Sequence, residues 1–228
     1  TIALIDGEVD TSAPELAGAS IIDKSPCTVT SSPFSKTHGT SMASLLVSKA
    51  YGVAPDATLL TYTTSQPGDN DVSGRDCTSS NGNGIEDPVS LINRAISDGA
   101  QIISISSSND ESSDTTKWAI ARANALGIII VSPMGNDAKD ETLDTYSKWS
   151  GVVGVSAIDT TGKVASYSSW GQGTTVAAVG GPVVVHNYES GNKGFTDGTS
   201  NSVPLVAGFL ALAKQKWPNA TSNQLLQL

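Results

Sequence analysis

Apolar residues fall along this chain in short, nearly unbroken runs, with amphipathic or apolar helical segments between them. Ile2-Ala-Leu-Ile5 is the first run, and it stops at Asp6-Gly7. That pattern predicts a strand over residues 1–5 which delivers Asp6 to its carboxyl edge. Residues 41–50 place apolar side chains at spacings of three and four and are followed by Gly52, which predicts a helix with His38 just ahead of it. A strand is expected over 57–62. A helix over 89–96, closed by Asp98-Gly99, precedes a strand over 100–105. A second helix over 115–126 is stopped by Gly127, and the β-branched run 128–131 leads into Pro133-Met-Gly-Asn136. Further short strands are predicted at 152–157, 175–179 and 183–185. The almost wholly apolar segment 202–214 reads as a central helix packed under a sheet, with Ser200 at its head and Pro204 in its first turn.

Fully apolar strands alternating with helices imply an α/β fold: a central, mostly parallel sheet flanked by helices, with functional residues collecting beyond the strand carboxyl ends. At 228 residues, with 38% hydrophobic positions and no abrupt shift in composition, one domain over 1–228 is expected. The polar stretch 65–88, which holds Pro67, Gly68, Gly74, Gly82 and Gly84, is a loop or insertion within it. A formal charge of −9 is a poor match to a polyphosphate backbone, so nucleic acid is excluded as the natural partner. No stretch reaches the roughly 18–20 apolar residues needed to cross a bilayer, so no membrane-spanning segment is expected. Cys27 and Cys77 either close one disulfide or stand as two buried thiols.

An aliphatic hydroxyl becomes a useful nucleophile when an imidazole takes its proton and an anion fixes the opposite ring nitrogen. The chain has two histidines, His38 in Thr-His-Gly-Thr-Ser and His186 after Val183-Val-Val185, and the helix entrance makes His38 the better base. In Asp197-Gly-Thr-Ser200 the serine falls at the head of the apolar helix, where orphan N–H groups and the dipole favour developing negative charge. Asn136 follows a strand and can project its amide past the same sheet edge. Taken singly, each has a plain structural use: a loop hydrogen bond, an N-cap, a turn. Their coexistence in one α/β frame is what strengthens the reading of a serine nucleophile with a histidine base.

Four blocks in order carry a resemblance: Ile2-Ala-Leu-Ile-Asp6 with Val9-Asp10, His38-Gly-Thr-Ser-Met-Ala43, Met134-Gly-Asn136, and Gly198-Thr-Ser-Asn-Ser-Val-Pro-Leu-Val-Ala-Gly208. Together with Gly52-Val-Ala-Pro55, Val152-Val-Gly-Val-Ser-Ala157 and Ala165-Ser-Tyr-Ser-Ser169, they make the chain similar to the subtilisin family over nearly its whole length. The resemblance implies a three-layer subtilisin-like peptidase domain and a serine endopeptidase acting through a Ser200 acyl-enzyme. Asp6 would orient the base His38, and Asn136 would hold the oxyanion. It also implies a polypeptide substrate, a propeptide or peptide-like inhibitor as a further partner, and a secreted or other oxidising extracytoplasmic location. The last residues, from Trp217, resemble the start of the family's last helix and stop early, so further sequence is expected.

The chain departs from the family at several points. Asp6-Gly7-Glu8 stands where Asp-Ser-Gly or Asp-Thr-Gly is usual, which removes a hydroxyl beside Asp6 and adds an anion. Ile103-Ser-Ile-Ser-Ser107 replaces a glycine-containing cleft strand, and Pro133-Met134 replaces small residues of the pocket wall. Ser104, Ile105, Ser106, Ser107, Pro133, Met134 and Gly135 are therefore the candidate substrate-binding residues, and a restricted substrate choice follows. Two alternatives stay open: a transpeptidase or macrocyclase, in which an amine outcompetes water for the acyl-enzyme, and a catalytically weak binding module that keeps the fold. The chemistry requires no cofactor. Asp69, Asp71, Asp76, Glu86 and Asp87 in the polar insertion are candidate ligands for a structural Ca²⁺, with a solvated acidic loop as the other reading.

Overall fold

The computed structural model describes residues 1–25, 31–64, 88–107, 113–140 and 146–227. In chain order the strands are β1 (Ile2–Asp6), β2 (Ser20–Asp23), β3 (Thr58–Thr63), β4 (Ile102–Ile105), β5 (Ile129–Pro133), β6 (Val152–Ile158) and β7 (Thr174–Val179). They form one sheet in the order β2-β3-β1-β4-β5-β6-β7, and every pairing in it is parallel. A separate antiparallel hairpin, β8 (Val183–Asn187) and β9 (Asn192–Thr196), follows. The helices are α1 (Pro33–Val47), α2 (Pro88–Ser97), α3 (Asp114–Ala125), α4 (Thr199–Lys216) and the short α5 (Ser222–Leu225). This is the three-layer α/β arrangement expected from the alternation of apolar strands and helices.

The inner strands β1, β3, β4, β5 and β6 are buried on both faces, so their successive side chains enter two different cores, whereas the edge strands β2 and β7 are largely exposed. Ile2 and Leu4 of β1 pack with Met42, Leu46, Val203 and Ala207 from α1 and α4. Ala3 and Ile5 pack with Leu91, Ile92, Ala119 and Ile120 from α2 and α3. Burying each large aliphatic side chain contributes about 1.5–3 kcal/mol, and this burial holds the sheet between its helical layers. The same parity determines the chemistry. Asp6 is in phase with Ile2 and Leu4, so it belongs to the face covered by α1 and α4.

Several boundaries differ from the sequence expectation. α1 begins at Pro33, not near residue 41, because Ser32 caps it by accepting from the Ser35 N–H at 3.1 Å and Pro33 occupies its first position. His38 therefore lies inside the helix. Pro204 sits at the sixth position of α4, not in its first turn, so the Ser200 carbonyl lacks the donor a helix would place four residues on. β9 was not foreseen, because Asn192-Lys-Gly-Phe-Thr196 lacks the apolar run that marks the sheet strands. Pro88, assigned to the polar insertion by sequence, opens α2. Among the described residues no helix is long and apolar enough to cross a membrane.

Candidate active site

Asp6 ends β1 at the carboxyl edge of the sheet and is 1% exposed. Its Oδ1 accepts from the Gly7 N–H at 2.7 Å and lies 2.6 Å from His38 Nδ1. The short separation is that of a charge-assisted hydrogen bond, in which Nδ1 carries the proton and leaves Nε2 as the free base. Burial disfavours the imidazolium, but the charge of Asp6 and its hydrogen bond outweigh this and raise the His38 pKa above its ordinary 6.5.

Strand end and helix meet closely because two glycines allow it. A Cβ on Gly7 would overlap the Ser35 carbonyl, and one on Gly39 would lie 2.6 Å from the Glu8 carbonyl and overlap that of Gly7. The Asp6-Gly7-Glu8 turn thus rests on the backbone of α1, one helical turn from His38. The extra anion Glu8 meets Lys36 Nζ at 3.5 Å, and the same ammonium lies 3.5 Å from Asp10. Tyr188, in the turn after β8, donates to Asp10 at 2.9 Å, and its N–H donates to Thr37 Oγ1 at 3.0 Å. Burial alone would raise the Asp10 pKa, but hydrogen bonds from Ser12 and Tyr188 and the charge of Lys36 bring it down to about 2. The exposed ring of Phe34 stacks on His38 with centroids 6.1 Å apart.

Ser200 is the second residue of α4, whose head is tied to the end of β7. Asn201 Nδ2 donates to the Gly180 and Thr196 carbonyls at 3.0 and 3.1 Å, and Ser202 Oγ donates to the Ala178 carbonyl at 2.9 Å. The Ser200 hydroxyl donates to the Ser106 carbonyl at 3.0 Å. The expected hydrogen bond between Ser200 and His38 is therefore not formed in this conformation. The hydroxyl satisfies itself instead on the carbonyl just beyond β4.

Asn136 lies beyond β5, where its Oδ1 accepts from both the N–H and the hydroxyl of Thr199, at 2.8 and 2.9 Å. Because a backbone N–H can only donate, this fixes which way round the carboxamide sits and leaves Nδ2 as a free donor. A Cβ on Gly198 would lie 3.5 Å from Asn136 Nδ2 and 3.7 Å from the Ser200 nitrogen. Two donors therefore border one small space at the helix N-terminus, where the dipole also favours an anion.

The candidate binding residues divide by strand parity. Ser104 and Met134 are fully buried; Met134 accepts a hydrogen bond from Ser147 through its sulfur at 3.0 Å. Ile105 is turned into the α2 and α3 core. None of these three side chains can line an open pocket, contrary to the wall expected of Met134, because each is consumed by packing. Pro133 ends β5 and is buried. Ser106 contributes its carbonyl to Ser200, while Ser107 and Gly135 remain partly accessible. The proposed Cys27–Cys77 disulfide and the calcium ligands Asp69, Asp71, Asp76, Glu86 and Asp87 lie outside the described residues. Among the described residues no group of three or more His, Cys, Asp or Glu could hold a metal ion. The sequence reading missed the supporting cast of Gly7, Gly39, Ser35 and Thr199. Of these, only the Ser32-Pro33 start signal could have placed Ser35 and Gly39 on the histidine's helix.

A doubly covered parallel sheet with an Asp–His pair at its edge and a serine heading a buried helix is the architecture of the subtilisin-like peptidases. The chain belongs to the subtilase family, whose model, peptidase S8, matches residues 1–228. It is 36% identical over 134 residues to a thermostable alkaline protease of Halalkalibacterium halodurans, a match covering 58% of this chain and 36% of that protein. It is 28% identical over 235 residues to subtilisin E of Bacillus subtilis, covering 98% of this chain and 58% of that protein. The chain thus spans roughly a third to three-fifths of these curated relatives. Among solved structures it is similar to the prenylagaramide maturation protease PagA, with a TM-score of 0.77 and 25% identity over 98% of this chain and 78% of that one.

Proposed function

We propose that this chain is a subtilisin-type serine peptidase working through a Ser200 acyl-enzyme. The observation that carries the reading is the pair of the buried Asp6 and the partly exposed His38 at 2.6 Å, set on the same sheet face as the serine at the head of α4. His38 Nε2 takes the Ser200 proton as Oγ forms a bond to a peptide carbonyl carbon. Asn136 Nδ2 and the Ser200 N–H hold the resulting oxyanion. Collapse of the tetrahedral species breaks the C–N bond, and His38 returns the proton to the leaving amine. In subtilisin itself, removal of one oxyanion donor lowers kcat by about 10²–10³, which sets the scale for Asn136. Asp6 keeps Nδ1 protonated and stabilises the imidazolium that forms.

The second half-reaction can use water or an amine. Similarity to PagA, named as a maturation protease, favours a processing enzyme with a dedicated peptide substrate over a broad digestive one. It also supports amine capture of the acyl-enzyme, the transpeptidase or macrocyclase reading, ahead of plain hydrolysis. A polypeptide substrate and an extracytoplasmic setting accompany either outcome. The test is to incubate the protein with a peptide library, with and without a millimolar α-amino nucleophile, and to identify products by mass. Amine-joined products in excess over acids are expected, all absent in Ser200→Ala. Acids alone would leave a hydrolase, and no Ser200-dependent product would leave a binding module.

A further inference from the structure

Two buried polar atoms beside Gly7 have no hydrogen-bond partner: Asp6 Oδ2 and Ser35 Oγ. Ser35 is the third residue of α1 and is 0% exposed, so its hydroxyl has no recourse to bulk water. Its Oγ lies 2.5 Å from the point a Gly7 Cβ would occupy. A hydroxyl from the neighbouring helix thus fills the space of the side chain that residue 7 lacks, next to the carboxylate that residue 6 carries. One atom is a donor without an acceptor, the other an acceptor without a donor, and leaving either unsatisfied is costly in a buried setting.

We propose that Ser35 is a positioning residue for the active site, its hydroxyl donating to Asp6 Oδ2 while Oδ1 holds His38. This rests on the assignment of Asp6, His38 and Ser200 to catalysis. The carboxylate is then held at three points: the Gly7 N–H and His38 Nδ1 on one oxygen, and Ser35 on the other. The two oxygens are not in hydrogen-bonding geometry in this conformation, so the contact requires a change of the Ser35 rotamer, and Ser35 Oγ is engaged by nothing else. With Oδ2 satisfied, less of the carboxylate charge is available to grip the imidazole proton, and the ring is held in a single plane.

Two variants separate donation from packing. Ser35→Ala removes the hydroxyl, and Ser35→Cys fills the same space with a much poorer donor. The readouts are the pH profile of fluorophosphonate labelling and the downfield resonance of the His38 Nδ1 proton, which is easily assigned in a chain with two histidines. Both variants should label about tenfold more slowly at neutral pH, the loss expected of one charge-assisted hydrogen bond. In both, the acid limb should move to higher pH and the Nδ1 proton should shift. Wild-type behaviour of Ser35→Cys, or an unmoved Nδ1 proton and acid limb in Ser35→Ala, would overturn the proposal. If the unaltered protein does not label at all, the peptidase reading fails, and the proton resonance alone still decides whether Ser35 reaches Asp6.

Discussion

At the scale of single residues, the Asp6–His38 contact determines how the site responds to pH. Burial works against a charged ring, but Asp6 prevails and the His38 pKa is raised above 6.5. Only neutral imidazole accepts the serine proton, so labelling of Ser200 should rise through a limb whose midpoint lies above pH 6.5. The same shift has the opposite effect on folding. A raised native pKa means the folded state binds the proton more tightly than the unfolded one. This contribution to stability is therefore complete below the unfolded value and is lost as pH rises through the native one. Thermal unfolding of Ser200→Ala, which cannot digest itself, should show that loss over the interval in which the unaltered protein gains labelling rate. A labelling midpoint at or below pH 6.5 would contradict the geometry of the pair. The residue types of this site were legible in the sequence, since two histidines leave little choice of base. The rotamer of Ser200 was not, because its hydroxyl bonds to a carbonyl, and every residue in the chain offers one.

Among the elements, the junction between β1 and α1 governs how accurately the pair is placed. Gly39 sits one residue after His38, and a Cβ there would press on the Gly7 and Glu8 carbonyls. Backbone cannot move aside as a flexible side chain can. Gly39→Ala should accordingly cost about 1–3 kcal/mol through overpacking, which for a domain of this size lowers Tm by roughly 2–12 °C. It should also slow labelling far more than an equally destabilising change elsewhere, because the strain falls between Asp6 and His38. Differential scanning calorimetry beside labelling kinetics would decide, and a variant that loses stability with no loss of rate would refute the placement. The helix itself was legible, but its first two turns were not. Apolar periodicity begins only at Met42, and Pro33-Phe-Ser-Lys-Thr-His-Gly-Thr carries no regular stripe. A cap and a proline start it, and tertiary contact with the Gly7 turn keeps it. β9 was hidden for a related reason: its partner is the hairpin strand β8, and no core face marks it.

For the molecule as a whole, the parallel sheet was readable from its apolar strands, because only a sheet covered on both faces needs runs such as Ile102-Ile103 and Ile128-Ile-Ile-Val131. Strand parity then divides those runs between two cores and sends Asp6 to the side where α1 and α4 meet. Four segments far apart in sequence, carrying Asp6, His38, Asn136 and Ser200, come to one edge because their elements share one sheet and one helical layer. The claim that follows is that one serine among many is activated by that convergence. Its most direct test is reaction with a fluorophosphonate followed by proteolytic mapping of the adduct, since the reagent needs an activated hydroxyl and no knowledge of the substrate. The account predicts one adduct per chain, on Ser200, abolished in Ser200→Ala and suppressed in His38→Ala. An adduct on another serine, or labelling that persists at full stoichiometry in Ser200→Ala, would contradict it.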